Sequence, residues 1–469
     1  MNIQQAFKSI GTLSKNTGID VYVVGGFVRD QLLERDFKKD LDVVVLGSGL
    51  EFAKQFAAQF SAENGRLIEF SDFDTARYVF LETTNSIAEN GEQEKQYRTL
   101  LEVEFAGARK EAYRSDSRKP TVVPATLEED LSRRDFTVNA MALGDGLVDP
   151  FGGQNDIKNK IIRAVGNPSQ RFKEDALRLI RAVRISGELE FEIEPITFEA
   201  IKNNAGLLLE IADERVRDEM FKILSSVNPY YGIAKLRDSG LLPKILPELE
   251  QCFGISQEGP KHDRVYDIGK HSLLTLKETP SADPLVRLGA LLHDIGKTKT
   301  VKIAEDGNVT FYNHDLEGGK MVLLIARRFN LSKKQTDKLY RLVRWHLFTV
   351  DENQTDAAVR RFIKNVGLEN IEDIMALRIG DRLGGGTQKA VSWRMEKFKE
   401  RIKKVLKKPF SISDLKVDGN DVMKILNIKP GPKVGEILKK LFAEVLDDAV
   451  KNDREYLLKR VNDYHTPGV

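Results

Sequence analysis

Residues 21–46, which read VYVVGGFVRDQLLERDFKKDLDVVVL, decide the fold of the N-terminal part of the chain. Two short apolar runs, Val21–Val24 and Val43–Leu46, predict buried strands. A glycine pair and a helical pattern from Phe27 to about Glu34 separate the two runs. The stretch therefore predicts a strand, a tight turn, a short helix and a second strand that packs into a core.

Two aspartates open the second strand. Asp40 and Asp42 stand two residues apart, so their side chains project from the same face of the strand. Two carboxylates held this closely repel each other, and Mg²⁺, which binds carboxylates together with substrate phosphates, removes the conflict. The turn at Gly25 and Gly26 lets backbone N–H groups approach a triphosphate. The local interpretation is a nucleotide-phosphate and metal site, and a solvated loop beside an ordinary turn is the alternative.

The whole pattern, Gly-Gly-x-x-Arg-Asp and then Asp-Leu-Asp on a strand, resembles the head domain of the nucleotidyltransferase superfamily. In particular it is similar to the bacterial tRNA nucleotidyltransferase and poly(A) polymerase family, the class that includes eukaryotic CCA-adding enzymes. Together with later motifs the resemblance covers residues 20–250. It implies that Asp40 and Asp42 hold two Mg²⁺ ions, which activate an RNA 3′-hydroxyl and stabilise the pyrophosphate leaving group.

The strand LEVEFAGAR, residues 101–109, carries the candidate third carboxylate. Its alternation turns Val103 and Phe105 to one side and Glu102 and Glu104 to the other. The resemblance assigns Glu104 as a catalytic residue that orients or deprotonates the 3′-hydroxyl. A solvated face for both glutamates is the alternative.

The string RRDFTVNA, residues 133–140, is close to a fingerprint motif of the same family. We expect a helix from Leu131 to Met141, with its charged residues on the preceding turn. Arginine forks suit triphosphate oxygens, and a carboxylate and an amide suit ribose hydroxyls. The resemblance assigns nucleotide binding to Gly25, Gly26, Arg29, Arg109, Arg133, Arg134, Asp135, Asn139, Asp175, Arg178 and Arg181.

The rest of the head divides into short elements. We expect a helix over residues 50–60, two short strands within 67–82 and a strand over Ile161–Val165 that closes the head sheet. Residues 83–100 and 110–127 are polar or proline-bearing and lack periodicity, so they predict loops.

The sequence becomes helical after Pro168. Residues 171–189 predict one amphipathic helix on which Asp175 and Arg178 are neighbours. An ion pair between these two is one interpretation. The resemblance implies instead that they act as a protein template, which presents hydrogen-bonding groups to the base edge of CTP or ATP. A helix over residues 214–224 is expected to brace this template.

Four of the six histidines fall in one region of the chain. Their order with two aspartates, H…HD…H…H…D, resembles the HD superfamily of metal-dependent phosphohydrolases. The expected ligands are His271, His293, Asp294, His314, His346 and Asp381. Imidazole and carboxylate groups on facing helices suit Mn, Fe, Ni or Mg, and two ions fit. The alternative is a relic domain that serves as a tRNA-binding body.

The C-terminal part is basic. Residues 387–408 predict a helix with Trp393 and Phe398 on its apolar side. From Arg401 to Val469 there are fifteen Lys and Arg against ten Asp and Glu. Residues 418–445 predict a helix-turn-helix element that holds tRNA by shape and phosphate contacts.

Composition limits the class of protein. A chain of 469 residues with 41% hydrophobic and 31% charged residues predicts two to four globular domains. The sequence has no run of about 18 apolar residues, as a membrane span requires, and its first residues, MNIQQAFKSI, do not resemble a secretory signal. The single cysteine, Cys252, fits a reducing cytoplasm. Because the net charge is only +2, an RNA site must concentrate its positive charge locally.

We therefore expect an α+β protein in which a small mixed-sheet head precedes an all-α remainder. The expected domains are a nucleotidyltransferase head (1–166), a neck with a base-recognition helix (167–255), an HD domain (256–386) and an RNA-binding tail (387–469). The expected cofactors are Mg²⁺ in the head and Mg²⁺ or a divalent transition metal in the HD domain.

The expected function is template-independent addition of CCA, from CTP and ATP, to the 3′ end of tRNA in the cytoplasm. Partial addition of CC or A alone and poly(A) synthesis remain open within the same fold. In a second hypothesis the HD region is the working part, a phosphohydrolase acting on RNA ends or nucleotides. A third is a purely RNA-binding scaffold. The sequence leaves the oligomeric state open.

Overall fold

The computed structural model describes residues 3–35, 40–61, 63–87, 93–112, 121–257, 267–305, 309–348, 355–387, 393–406 and 412–464. Backbone contacts divide the chain into two compact units, residues 1–219 with 238–244 and residues 220–237 with 245–469. Within the described ranges, no helix is both long and apolar enough to cross a membrane.

The first unit combines a mixed sheet with helices. Its strands are β1 (Val21–Val24), β2 (Asp40–Val45), β3 (Gly65–Phe70), β4 (Thr75–Ile87), β5 (Gln93–Gly107), β6 (Arg109–Ala112), β7 (Thr121–Pro124), β8 (Ala142–Leu143), β9 (Leu147–Val148), β10 (Ile161–Ile162) and β11 (Glu192–Ile193). Its helices are α1 (Ile3–Thr17), α2 (Gly26–Leu32), α3 (Gly49–Ala57), α4 (Leu127–Ser132), α5 (Gly153–Asn159), α6 (Pro168–Glu174), α7 (Leu177–Leu189) and α8 (Pro195–Asn204). In the described part of the chain, seven strands form one sheet in the order β3-β4-β5-β2-β1-β8-β9. The prediction of an α+β protein with a small mixed sheet is confirmed.

Aromatic side chains between α3 and the sheet form the core of the head. Phe56 of α3 and Phe105 of β5 are fully buried, and their ring centroids lie 4.9 Å apart. Val103 is also fully buried, whereas Glu102 and Glu104 on the opposite face of β5 are only half-buried. The predicted alternation of this strand is confirmed, and the apolar face fixes which side chains β5 presents on its other side.

The predicted loop over residues 83–100 is wrong. Residues 83–87 continue β4 and residues 93–100 belong to β5, and the two pair antiparallel with Thr83 opposite Tyr97. Residues 88–92 lie outside the described part of the chain. Two paired strands satisfy each other's backbone hydrogen bonds whatever their side chains are. A polar hairpin can therefore form without the alternating apolar residues on which the prediction relied.

Two further predictions in the head need correction. Within residues 110–127, β6 and β7 pair as a separate two-stranded sheet, and residues 113–120 lie outside the described part. The strand predicted at Ile161–Val165 is only β10, which pairs parallel with β11 and not with the head sheet. One edge of the head sheet is instead formed by the hairpin of β8 and β9, because β8 pairs with β1.

The rest of the chain is almost entirely helical. Its helices are α9 (Asp213–Ser225), α10 (Pro229–Asp238), α11 (Leu242–Ile245), α12 (Pro247–Glu250), α13 (Ile268–Glu278), α14 (Pro284–Leu292), α15 (Lys297–Thr300), α16 (His314–Arg328), α17 (Lys333–Arg344), α18 (Asp356–Val366), α19 (Ile371–Gly384), α20 (Trp393–Val405), α21 (Gly419–Leu426), α22 (Pro432–Asp447) and α23 (Arg454–Asp463). A small hairpin of β12 (Lys302–Ile303) and β13 (Val309–Thr310) interrupts them.

The predicted apolar face of α20 is half right. Phe398 is buried with Met395 and Ile402, but the Trp393 side chain at the start of the helix is exposed. Lys397 and Arg394 lie over the indole ring, 4.8 Å and 5.3 Å from its centroid. The indole of Trp393, at the first residue of the helix, therefore packs against cations and not in the hydrophobic core.

A carboxylate joins the last two helices. Glu444 of α22 accepts hydrogen bonds from Arg460 of α23 at 2.8 Å, from the Tyr456 hydroxyl at 2.6 Å and from the Tyr464 hydroxyl. Burial alone would raise the pKa of Glu444, but these donors outweigh it and lower the pKa to about 2.

We expect acid to loosen this contact. Because the pKa of Glu444 in the folded chain lies below the value of about 4.3 in an unfolded chain, its stabilising effect is complete above that pH and is lost as the pH falls towards 2. The protection factors of the α22 and α23 amides in hydrogen exchange, corrected for the intrinsic exchange rate at each pH, should therefore fall over this window. Glu444→Gln should flatten the pH dependence, whereas Glu436→Gln on the exposed face of α22 should leave it unchanged. An unaltered profile in Glu444→Gln would contradict the assignment.

Candidate active site and metal centre

Parallel pairing of β2 with β5 brings four carboxylates to one face of the head sheet. Asp42 stands opposite Glu104, and Asp40 stands opposite Glu102. The prediction that Asp40 and Asp42 share a face is confirmed by their exposure, since Leu41 between them is buried. The candidate third carboxylate therefore lies directly beside the predicted pair.

An arginine that the sequence analysis did not single out holds the glutamates. Arg77 of β4 stands opposite Glu104 and donates to its Oε2 at 2.7 Å, and a second donor lies 3.2 Å from Glu102 Oε2. The pairing depends on the register of two strands, so no local motif predicts it. Arg77 therefore holds Glu104 through one carboxylate oxygen, Oε2.

The pKa of Asp42 is raised by its surroundings. The side chain is open to solvent, but the pocket walls displace part of its water, and this desolvation is the largest cause of the shift. Arg134 opposes the shift, while Glu104 and Asp40 add to it. A carboxylate crowded by like charges in this way is a favourable ligand for a cation, which is the fit expected of a metal-binding position.

A cavity of about 370 Å³ lies in front of this face. Eleven of the predicted site residues line it: Gly25, Gly26, Asp42, Glu104, Arg109, Arg133, Arg134, Asp135, Asn139, Arg178 and Arg181. The predicted residues Asp40, Arg29 and Asp175 do not line it. Asp40 lies two residues before Asp42 on β2. Arg29 and Asp175 form ion pairs with neighbouring residues, as described below.

Gly25 is required by the turn and by the pocket. Its φ of 75° lies in the left-handed region, and a Cβ there would lie 3.4 Å from both Arg134 Nη1 and Asp42 Oδ2. Without a Cβ, the backbone of Gly25 stays accessible between the Arg134 guanidinium and the Asp42 carboxylate.

Arg29 is a buried structural member of the site. Its guanidinium donates to Asp30 at 2.7 Å and to the Asn139 side chain at 2.8 Å. Asn139 in turn donates to Asp135 at 3.1 Å. Burial alone would raise the pKa of Asp135, but Arg181 and the Asn139 amide lower it, so the carboxylate stays charged. Arg29 therefore orients two pocket residues and has little free donor capacity.

The helix around the arginine motif differs from the prediction. α4 begins at the Thr126 capping box and ends at Ser132, so the arginines follow a helix and do not precede one. Residues 137–139 form a single 3₁₀ turn in place of the predicted helix. Phe136 forms a bridge to Ala164, and this strand-like contact overrides the apolar spacing on which the prediction relied.

The predicted neck helix is broken at Asp175. This residue ends α6 in an extended conformation, and α7 starts at Leu177, whose N–H donates to the Asp175 side chain. The alternative interpretation, an ion pair between Asp175 and Arg178, is therefore wrong, because both side chains have other partners. Asp175 pairs with Arg215 at 3.4 Å, and Arg178 pairs with Glu174 at 3.2 Å. The pairing with Arg215 fits the predicted bracing by the helix over residues 214–224.

Arg178 also links the neck to the arginine motif. Its Nη2 donates to the backbone oxygen of Arg133 at 2.7 Å. The Nε atoms of Arg134, Arg178 and Arg181 are buried without a hydrogen-bond partner. Unpaired guanidinium donors in one pocket suit an anionic ligand with several oxygens.

In the second unit, all six predicted HD ligands meet in one cluster, in which five are buried and Asp381 is partly exposed. Two groups of three have ligand atoms within 4.8 Å of one another: His271, His293 and Asp381, and Asp294, His314 and His346. They come from α13, the end of α14, α16, the end of α17 and α19. These five helices and the turn at Gly296 build the site, and a Cβ at Gly296 would collide with the His314 backbone oxygen.

Asp294 is shared by both groups. Its Oδ2 lies 3.2 Å from His293 Nε2, and its Oδ1 lies 3.2 Å from His314 Nε2. The buried Nε2 atoms of His314 and His346 have no partner in hydrogen-bond geometry. Burial lowers the pKa of His346, which keeps the imidazole neutral, as metal ligation requires. The residues therefore fit divalent metals, with Asp294 presenting one oxygen to each side.

Comparison with known proteins agrees with both sites. Residues 21–163 match the family described as Poly A polymerase head domain, and residues 264–383 match the HD domain family. Residues 324–461 match a family of tRNA nucleotidyltransferase domain 2. The A-adding tRNA nucleotidyltransferase of Deinococcus radiodurans is 36% identical over 333 residues, which are 68% of this chain and 75% of that protein.

The chain belongs to the tRNA nucleotidyltransferase and poly(A) polymerase family. It is therefore an enzyme that transfers nucleotides, and the family prediction is confirmed. The CCA-adding enzyme of Ligilactobacillus salivarius is 29% identical over 98% of this chain and 96% of that protein. The crystal structure of the Bacillus stearothermophilus CCA-adding enzyme in complex with CTP has the same fold, with a TM-score of 0.63 and 24% identity over 99% of this chain and 98% of that one.

The HD cluster of this family member yields a test of metal content. The test uses a chain that carries Asp40→Asn and Asp42→Asn, so that the carboxylates of the head do not add to the metal count. If Asp294 bridges two ions, this chain reconstituted with Mn²⁺ should bind about two ions. Adding His346→Ala should leave one ion, because the group of His271, His293 and Asp381 is intact. Calorimetric titration and elemental analysis measure both values, with Lys299→Ala, exposed on α15, as the control. A single ion in the chain with an intact HD cluster would contradict the bridging geometry.

Proposed function

We propose that this chain adds C, C and A to the 3′ end of tRNA, using CTP and ATP in its head pocket. The observation that carries the proposal is the junction of a carboxylate face, an arginine-lined cavity and the end of the neck helix in one unit. The relatives named CCA-adding enzyme, one of them matched over 98% of this chain, support it. The free, buried thiol of Cys252 is compatible with work in the cytoplasm.

In the proposed reaction, the 3′-hydroxyl oxygen of tRNA attacks the α-phosphorus of the nucleotide. A new phosphodiester bond forms and the bond to pyrophosphate breaks. We assign the triphosphate to Arg133 and Arg134, whose fork geometry matches phosphate oxygens. Gly25 and Gly26 allow the backbone to approach the same oxygens.

We assign the metal position of the head to Asp40 and Asp42. Mg²⁺ bound there supplies charge stabilisation at the attacking and leaving oxygens. Glu104, whose second oxygen is not held by Arg77, accepts or orients the proton of the 3′-hydroxyl. Arg77 keeps this carboxylate in place by its 2.7 Å contact.

Separate disruption of the two metal-binding regions tests the main proposal. Incorporation of labelled CTP and ATP is measured on tRNA transcripts that end before CCA, before the final A, or after CCA. The unaltered chain should add two C and one A and then stop. Asp42→Asn should reduce incorporation at least about a thousandfold, the cost of losing transition-state charge stabilisation. His293→Asn, in the HD cluster, should leave incorporation unchanged, and the absence of any incorporation by the unaltered chain would refute the proposal.

Base selection is proposed to lie at Asp175 and Arg178. Asp175→Asn should change the ratio of kcat/KM for CTP over UTP by about tenfold, since it alters a hydrogen-bonding group that the proposal assigns to the base edge. Lys173→Ala, exposed on α6, is the control and should leave the ratio unchanged. Equal losses for all four nucleotides would assign Asp175 a purely structural role.

Addition of A alone is a second candidate, because the Deinococcus radiodurans relative at 36% identity bears the name A-adding. The same assay separates the two. Incorporation of ATP only on transcripts that already end in CC would favour this candidate. Unlimited extension with ATP on many RNAs would make the chain a poly(A) polymerase.

A phosphohydrolase activity of the HD domain is a further candidate, favoured by the six-ligand cluster around Asp294. We propose Mg²⁺, Mn²⁺ or another divalent transition metal as its ion. Hydrolysis of bis-p-nitrophenyl phosphate by the reconstituted chain, abolished in His293→Asn and retained in Asp42→Asn, would establish it.

A further inference from the structure

Asp130 is the most deeply buried charged group beside the head pocket. Its side chain is 1% exposed, whereas Arg133 and Arg134 are 25% and 19% exposed. An isolated carboxylate in such a position is costly, so partners must compensate it. Both arginines do so, from positions three and four residues further along the chain.

Each oxygen of Asp130 holds a different arginine. Oδ1 accepts from Arg133 through Nε at 3.0 Å and Nη2 at 2.5 Å, and Oδ2 accepts from Arg134 Nη2 at 3.2 Å. The Arg133 Nε also donates to the backbone oxygen of Arg109 at 3.0 Å. The carboxylate therefore sets the direction in which both guanidinium groups leave the end of α4.

The arginines held in this way face the reacting end of the pocket. Arg134 Nη1 approaches Gly25 and influences the pKa of Asp42, and Arg133 accepts at its backbone oxygen from Arg178. Positive groups crowded in one cavity repel each other when no anion is present. A buried counter-ion beneath them keeps them in place for the ligand, so less ordering is required when it binds.

We propose that Asp130 is a positioning residue for the triphosphate. The inference rests on the proposed function, because it assigns the phosphates of the nucleotide to Arg133 and Arg134. Asp130 does not touch the substrate. It acts through the two arginines and so serves CTP and ATP equally, unlike the base-reading pair of the neck.

Kinetics on the full-length chain test the role. Asp130→Asn should raise KM for CTP and for ATP by the same factor, about tenfold to a hundredfold, which corresponds to a lost charge-assisted hydrogen bond. The CTP to ATP preference should not change. Binding of inorganic tripolyphosphate, measured by calorimetry, should weaken by a similar factor. Glu128→Gln, an exposed substitution on the same helix, is the matched control.

A double-mutant cycle separates positioning from general support of the fold. In a chain that already carries Arg133→Gln and Arg134→Gln, Asp130→Asn should have no further effect on tripolyphosphate binding. If Asp130→Asn does not fold, Asp130→Glu, which keeps the charge but shifts it by one methylene, should still raise both KM values.

Three outcomes would overturn the inference. They are unchanged KM values in Asp130→Asn, a changed CTP to ATP preference, or an undiminished loss of tripolyphosphate binding when Asp130→Asn is added to the chain that carries Arg133→Gln and Arg134→Gln. An unaltered chain that binds tripolyphosphate in an Asp130-dependent way but incorporates no nucleotide would instead refute only the proposed function. The two failures are therefore distinguishable.

Discussion

The parallel pairing of β2 with β5 is the constraint on which the head depends. It places Asp42 beside Glu104 and Asp40 beside Glu102, a concentration of negative charge that the fold must hold against repulsion. The opposite faces of the same strands carry apolar side chains, buried in the core. A slip of one residue would turn the carboxylates into that core, so burial of one face fixes the chemistry of the other.

Carboxylates hold two of the positively charged side chains of the pocket in place. Arg178 is paired with Glu174, and Arg181 lies 3.6 Å from Asp135. The pair of Arg178 and Glu174 is largely shielded from water, so screening by salt affects it less than it does surface pairs, whereas Arg181 is 37% exposed. A cavity lined by arginines whose directions are fixed in advance can stabilise charge that develops at a phosphate without reorganising.

A feature of the head could be predicted from the sequence where it depends on residues that are close together in the chain. The face shared by Asp40 and Asp42 follows from the two-residue period of a strand, and the turn at Gly25 follows from backbone freedom, so both were predictable. The partners Arg77 and Asp130 were missed for different reasons. Arg77 reaches Glu104 only through strand register, whereas the spacing of Asp130 from the arginine motif was visible but had no assigned meaning.

The HD ligands show the same distinction at longer range. The resemblance of their order along the chain to that of the HD superfamily predicted that they would meet, and they do. The sharing of Asp294 between two groups was not predictable, because it depends on the rotation of one carboxylate relative to helices that are distant in sequence. The loop prediction for residues 83–87 and 93–100 was wrong for the opposite reason, since the pairing of these residues is made by the backbone and leaves no trace in side-chain periodicity.

The break in the neck at Asp175 changes how the proposed base recognition must work. On a continuous helix, Asp175 and Arg178 would move as one surface. In the structure Arg178 is anchored by Glu174 and by the backbone of Arg133, whereas Asp175 has a partly exposed contact of 3.4 Å with Arg215. Exposed ion pairs contribute little free energy, about 0–1 kcal/mol. In the proposed reaction, any adjustment between cytosine and adenine is therefore energetically cheaper at the carboxylate than at the arginine, which stays tied to the backbone of Arg133.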